Sequence, residues 1–195
     1  MIKKLTTQTP VLDLIRNRWS PRAFAERDLS QEVVASLIEA AGCAPSAMNE
    51  QPWRFVVALR QEEAAFQTLC DLLLEGNKKW AKNAAALVVV LGKQTYSLNG
   101  KPNGNAAHDA GMATQNLLLQ ALSLEVYGHV MEGFEKEKAT AVLGLSPDFK
   151  PVTMLALGYL GQADSLEEPY YTRETTPRSR KAVEEICFSV GKTIQ

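Results

Sequence analysis

The sequence predicts a layered domain of mixed helices and strands, α+β or α/β, on three observations. Segments with helical apolar spacing alternate along the chain with short runs rich in β-branched residues. The most apolar run, residues 85–91 (AALVVVL), has the length and composition of a strand buried on both faces. A chain of 195 residues with 46% hydrophobic content is enough for one such domain with a substantial core, and not enough for two.

The elements follow in order. Thr9 can cap a first helix over residues 10–18, Pro10 suits its first position, and Val11, Leu14 and Ile15 make an apolar face. Ser30 caps a second helix whose Val33, Val34, Leu37 and Ile38 keep i, i+3/i+4 spacing to about Gly42. Residues 44–52 read as a loop, 54–59 (RFVVAL) as a strand and 61–74 as a helix. After the 85–91 strand, residues 94–105 (QTYSLNGKPNGN) carry turn chemistry throughout and should form an exposed loop. The longest helix is expected over 106–123, with Met112, Gln115, Leu118 and Leu119 on one stripe. A strand over 125–130, a charged helix over 134–143 and a strand over 152–159 (VTMLALGY) complete the pattern. Beyond Gly161 it dissolves: residues 162–181 are polar, with Pro169 and Pro177, yet hold Tyr170, Tyr171 and three arginines. A tail of that kind is expected to be disordered or packed on something else, often a partner subunit.

Composition removes several function classes. Lys and Arg number 21 against 22 Asp and Glu, so a net charge of -1 gives no long-range pull toward nucleic acid or anionic lipid. Three cysteines without CxxC spacing, set among small or apolar residues, suit a reduced intracellular chain. The two histidines offer no zinc spacing, and no metal is expected. The N-terminus lacks an apolar signal core, and no apolar run could span a bilayer, so the expectation is a cytoplasmic protein with no membrane partner. No GxGxxG follows a strand, no Walker loop or GxSxG is present, and His108-Asp109 has too few companions for a metal-phosphohydrolase site.

Four short segments carry the chemistry. In the first, Arg16, Arg18 and Arg22 with Ser20 offer fork-shaped donors to an anionic oxygen cluster, although arginines at a helix end also answer the macrodipole. In the second, APSAMNEQPW over 44–53, two prolines stiffen a loop whose Ser46, Asn49 and Gln51 both donate and accept, as the carbonyl and imide edge of a heterocycle requires. The third, GHVMEGF over 128–134, holds Gly133, which permits close backbone approach and offers an N–H. The fourth, Pro177-Arg178-Ser179-Arg180, is a second basic pair far along the chain.

In combination and order these segments resemble the nitroreductase family of flavoproteins. The family's Arg-x-Ser-x-Arg pattern is matched by Arg18-Trp19-Ser20-Pro21-Arg22. Its Pro-Ser-x-x-Asn-x-Gln-Pro-Trp pattern is matched at Pro45, Ser46, Asn49, Gln51, Pro52 and Trp53. Glu132-Gly133-Phe134 and the closing Arg178 and Arg180 match its remaining signatures, so the resemblance runs from about residue 10 to the C-terminus. It implies a three-layer α-β-α sandwich with a mostly antiparallel sheet, one domain over 1–195, in a homodimer with two FMN sites at the interface. The tail from residue 162 would embrace the partner.

By position, Arg18, Trp19, Ser20 and Arg22 would hold the ribityl phosphate and pyrimidine edge of FMN, with Arg178 and Arg180 closing on the phosphate. Pro45, Ser46, Ala47, Met48 and Asn49 would come from the partner chain. Met131, Glu132 and Gly133 would lie along the isoalloxazine, the Gly133 N–H near N5 and O4. Two arginine pairs suit a doubly charged phosphate, and Arg22 is the candidate cation for the N1/O2 edge. Chemistry at the flavin N5 needs no catalytic side chain, which agrees with the lack of an acid–base dyad. The implied activity is electron transfer from NADH or NADPH to nitroaromatics, quinones or activated alkenes by ping-pong turnover. Alternatives on the same fold are specialised flavin chemistry such as reductive dehalogenation, and a non-catalytic flavin-binding redox sensor. The 94–105 loop stands where many relatives carry a longer cover, which implies an open site and a broad range of small-molecule substrates.

Overall fold

Three consecutive valines, Val88 to Val90, cannot all face one side of a strand, so a sheet that holds them must be covered on both faces. In the computed structural model, which describes residues 3 and 5–191, that requirement is met. The described elements are α1 (Asp13–Asn17), α2 (Gln31–Gly42), β1 (Trp53–Leu59), α3 (Glu63–Cys70), α4 (Glu75–Ala81), β2 (Ala86–Lys93), α5 (Ala106–Ser123), β3 (Val126–Met131), α6 (Lys136–Val142), β4 (Phe149–Tyr159) and α7 (Tyr170–Thr175). The strands form one sheet in the order β1-β2-β4-β3, antiparallel throughout.

Alternation along β2 and β4 then builds three layers. Leu87, Val89 and Leu91 with Met154 and Ala156 pack against Leu69 and Cys70 of α3, Trp80 of α4 and Ala139 of α6. Ala86, Val88 and Val90 with Leu155 and Leu157 pack against Leu37 of α2 and Ala110, Ala113 and Leu117 of α5. Each fully buried Leu or Val side chain contributes about 1.5–3 kcal/mol. The α-β-α sandwich is thus fixed by two strands that are apolar on both sides.

Several boundaries and one stripe differ from expectation. Ser30 caps α2 as read, its Oγ accepting from the Val33 N–H at 3.3 Å. Helix α1 is shorter than the expected 10–18; it starts from Leu12 with no side-chain cap, and Val11, Leu14 and Ile15 stay exposed. The buried stripe of α5 is Asp109, Ala110, Ala113, Leu117, Leu118 and Ala121, while Gln115 faces out. Small residues won there because the helix lies close to the sheet: a Cβ on Gly128 of β3 would collide with Leu118 and come within 2.9 Å of Leu157.

The expected helix over 61–74 is instead α3, a break and then α4. The break has a tertiary cause. Leu73 bridges to Phe134, the Leu74 N–H donates to the Gly133 carbonyl (3.1 Å) and the Glu135 N–H donates to the Leu72 carbonyl (2.9 Å). Residues 72–74 are thereby pulled out of helix to pair with 133–135. Strand β4 begins at Phe149, three residues before the apolar run, with a register shift opposite Leu91 that accommodates Pro151.

Candidate functional site

Residues 18–22 leave α1 and run beside the edge strand β3. His129 of β3 fastens them there. Its Nδ1 lies 2.9 Å from the Pro21 carbonyl oxygen. A carbonyl only accepts, so the hydrogen is on Nδ1. The ring meets Trp80 at a tilt of 40°, centroids 4.5 Å apart. Burial, reinforced by the charges of Arg22 and Arg18, drops the imidazole to about 4 despite its carbonyl partner. It is therefore neutral at pH 7.

The C-terminal segment reaches the same place from 160 residues away. The Arg178 guanidinium donates to the main-chain carbonyls of Arg16 (2.6 Å) and Arg18. Burial first, then Arg180 and Arg18, hold Arg178 below its ordinary value; burial and Arg180 do the same to Arg18. Lys3 joins them, donating to the Arg173 carbonyl at 2.7 Å; burial lowers its ammonium, the Glu174 carboxylate opposes that, and Arg22 and Arg178 add to it. Arg18, Arg22, Arg178 and Arg180 take part in no salt bridge among the described residues. The buried carboxylate nearby is Glu174 of α7, and its oxygens are taken by the N–H groups of Arg22 (2.9 and 3.1 Å) and Ala23 (3.2 Å).

A cluster of cations that repel one another is expensive unless an anion joins it. Among the described residues, the buried side-chain nitrogens and oxygens without a partner are Arg16 Nε, Asn17 Oδ1, Trp19 Nε1 and Arg178 Nε, all in this corner. The three nitrogens are donors and suit a dianion bearing several oxygens, whereas Asn17 Oδ1 only accepts.

Helix α4 carries the site onward. Asn77 and Trp80 lie on one face, three residues apart. Trp80 meets His129 and, at 5.8 Å, the Arg22 guanidinium. The Asn77 amide donates to the Gly133 carbonyl at 3.1 Å. A Cβ on Gly133 would stand 2.8 Å from that amide and displace it from the carbonyl. The Gly133 N–H donates to no acceptor among the described residues.

The fold therefore gathers Arg18, Ser20, Arg22, Arg178 and Arg180, and α4 links them to 131–133. Side-chain roles are narrower than the motifs suggest. The Trp19 ring is buried edge-on to Tyr127 and offers at most its unpartnered Nε1, and Met131 is buried in the core and offers main chain only. The Glu132 side chain turns out to Lys136, 2.6 Å away. Pro45, Ser46, Ala47, Met48 and Asn49 are not brought to this place within the chain. They lead into β1, the opposite edge of the sheet, three strand spacings or about 14 Å from β3. Within residues 162–180, Glu174 and Arg178 fasten the tail to the 16–23 segment of its own chain. His129, Asn77, Trp80 and Glu174 were missed by sequence reasoning. His129 and Trp80 could have been suspected as bulky polar-edged residues in otherwise aliphatic or charged segments; Glu174 left no local signal.

Fold and site together define an α+β domain with a cationic corner on one edge of an antiparallel sheet. The chain belongs to the nitroreductase family, whose model matches residues 15–79 and 60–159. It is similar to a crystal structure of an oxidoreductase containing FMN, with 34% identity and a TM-score of 0.92, over 98% of this chain and 97% of that one. A protein of Archaeoglobus fulgidus provisionally named NADH dehydrogenase/NAD(P)H nitroreductase is 32% identical over 76% of this chain and 84% of its own. The NADH dehydrogenase of Thermus thermophilus is 31% identical over 77% of this chain and 88% of its own.

Proposed function

We propose that the protein is a cytoplasmic, homodimeric FMN-dependent oxidoreductase that draws electrons from NADH or NADPH and passes them to small organic acceptors such as nitroaromatics, quinones or activated alkenes. The observation that carries this reading is the corner where burial and the charge of Arg180 lower both Arg18 and Arg178, and no arginine side chain of that set is in a salt bridge among the described residues. Its charge and donor geometry fit the phosphate of FMN. Arg18, Ser20, Arg178 and Arg180 would hold that phosphate, with Arg22 at the pyrimidine edge. The free Gly133 N–H would donate to the ring edge that carries N5 and O4. When bound, FMN supplies two-electron redox chemistry, reduced by the nicotinamide and reoxidised by the acceptor. The chain's part is to bind, orient and set the local charge; Pro45 to Asn49 of a second copy would complete the lining.

The test is a visible spectrum of the purified protein, followed by anaerobic titration with NADH and with NADPH, then addition of a nitroaromatic or quinone. Bleaching by a nicotinamide and recovery on adding the acceptor is the expected result. A protein that stays colourless when supplied with FMN overturns the reading, and one that binds FMN but resists both nicotinamides is a flavin carrier or sensor instead.

A further inference from the structure

The loop over 45–51 is the most strained stretch of the described chain. Met48, Asn49 and Gln51 all lie in the left-handed region, with φ of 54°, 54° and 50°, and none is a glycine. Met48 and Asn49 point outward, Met48 with 68% of its surface exposed. Something must hold the backbone in this shape. Ser46 closes the loop on itself, its Oγ accepting from the Gln51 N–H at 3.0 Å. The Glu50 carboxylate grips Ser97, accepting from its N–H (2.8 Å) and hydroxyl (2.7 Å). The third restraint comes from the core. Asp109, on the buried stripe of α5 and only 1% exposed, accepts from the Ala47 N–H at 3.1 Å through Oδ2, while Oδ1 faces His108 Nδ1 at 3.2 Å.

A carboxylate that deep is costly and serves no salt bridge to Lys or Arg among the described residues. Its neighbours on the stripe are alanines and leucines, where an apolar side chain would pack without that cost. We infer that Asp109 is a positioning residue: it pins Ala47 so that Met48 and Asn49 are presented, in one fixed conformation, to the FMN site of a second copy of this chain. The inference rests on the function proposed above, because it is there that the loop lines the cofactor. It also accounts for the His108-Asp109 pair, which gathers no third metal-ligating group among the described residues.

The experiment compares wild type with Asp109→Ala, Asp109→Asn and Ala47→Pro. Ala47→Pro removes the same N–H from the loop side without touching the core. It is sterically admissible, since Ser46 is extended (φ -146°, ψ 156°) and residue 47 opens a helical turn. Hydrogen exchange of the residue 48–51 amides, FMN affinity and the separate kcat and KM for a quinone are measured in each. Asp109→Ala and Ala47→Pro should speed exchange in the loop and weaken FMN binding about tenfold, as loss of one hydrogen bond to a charged group would. KM for the quinone should rise more than kcat falls. Asp109→Asn, which keeps an acceptor oxygen, should restore most of this. If Ala47→Pro and Asp109→Ala leave FMN affinity and loop exchange as in wild type, Asp109 is not a positioning residue. Equal loss in Asp109→Asn and Asp109→Ala would assign the effect to core charge and overturn it too. Failure of the wild type itself to bind FMN would instead sink the proposed function.

Discussion

The 2.9 Å approach of His129 Nδ1 to the Pro21 carbonyl joins two parts of the chain that are 108 residues apart, and it does so at the centre of the cationic corner. The imidazole sits between Arg18 and Arg22 and is held neutral by burial, at about 4 against an ordinary 6.5. Its native value lies below its unfolded value, so the contribution to stability is complete above pH 6.5. As the pH falls toward 4, the unfolded chain takes up a proton that the native one refuses, and about 3 kcal/mol is lost. Urea midpoints of wild type and His129→Gln should therefore diverge between pH 7 and pH 4, wild type losing more. Parallel pH dependence in the two proteins would show that His129 does not stay neutral in the fold.

Arg178 and Arg180 divide two jobs. Arg178 ties the tail to the Arg16 and Arg18 carbonyls, whereas Arg180 is exposed and, among the described residues, bonds only to the neighbouring Ser179 carbonyl. Arg180→Ala should weaken FMN binding, measured by quenching of flavin fluorescence, with little change in thermal midpoint. Arg178→Ala should lower both, with FMN affinity falling tenfold or more, since a hydrogen bond to a charged group contributes about 1.5–3 kcal/mol. Adding salt should weaken FMN binding less in each variant than in wild type. An unchanged affinity in the double variant would place the phosphate elsewhere.

Gly161 is where two main-chain segments beside the corner approach closely. A Cβ there would lie 2.7 Å from the main-chain carbon and oxygen of Phe24 and 3.0 Å from the Ala25 nitrogen, none of which is a side-chain end that could swing away. The glycine's own N–H donates to the Ala23 carbonyl at 2.9 Å. Gly161→Ala should push residues 23–25 outward at a cost of about 1–3 kcal/mol, a drop in Tm of about 5 °C. Because Arg22 precedes the displaced segment, FMN affinity should fall as well. In Leu59→Val, a core change at the other edge of the sheet, Tm alone should fall.

How much of this was legible depended on whether the cause was local. Ser30 announces α2 and the residues 106–123 announce α5, because caps and 3.6-residue periodicity act within a few positions. The two-faced strand at 86–93 is written in its own valines. The break at Leu72–Leu74 is not, since it exists only because residues 133–135 arrive to pair with it. The same holds at the site. Arg18, Arg22, Arg178 and Arg180 could be named from spacing and charge, but not the fact that Arg178 bonds to the main chain of α1's end. Glu174 looks like any acid in a polar tail until Arg22 and Ala23 are placed over it. Asp109 was visible as half of a His-Asp pair, and only its burial against Ala47 tells what it does.

Helix α1 and its N-cap leave Leu12 (74%), Leu14 (42%) and Ile15 (47%) exposed, although the spacing is that of a helix with an apolar face to bury. Beyond Arg180 the chain shows Val183 (56%), Ile186 (66%) and Phe188 (40%) to solvent. Two such stretches on one small domain are more apolar surface than a monomer ordinarily keeps, and a second copy is the proposed cover. Because residues 162–180 dock on their own chain, the segment free to embrace a partner starts after Lys181. Ending the chain there keeps both arginines and removes only that segment. Sedimentation velocity should then show a dimer for wild type and a shift to monomer for the truncated chain, and a fuller shift when Leu12→Glu and Ile15→Glu are added. FMN affinity should fall with the dimer, since Pro45 to Asn49 would no longer reach the site. A stable dimer after all three changes would mean that neither surface holds the subunits together.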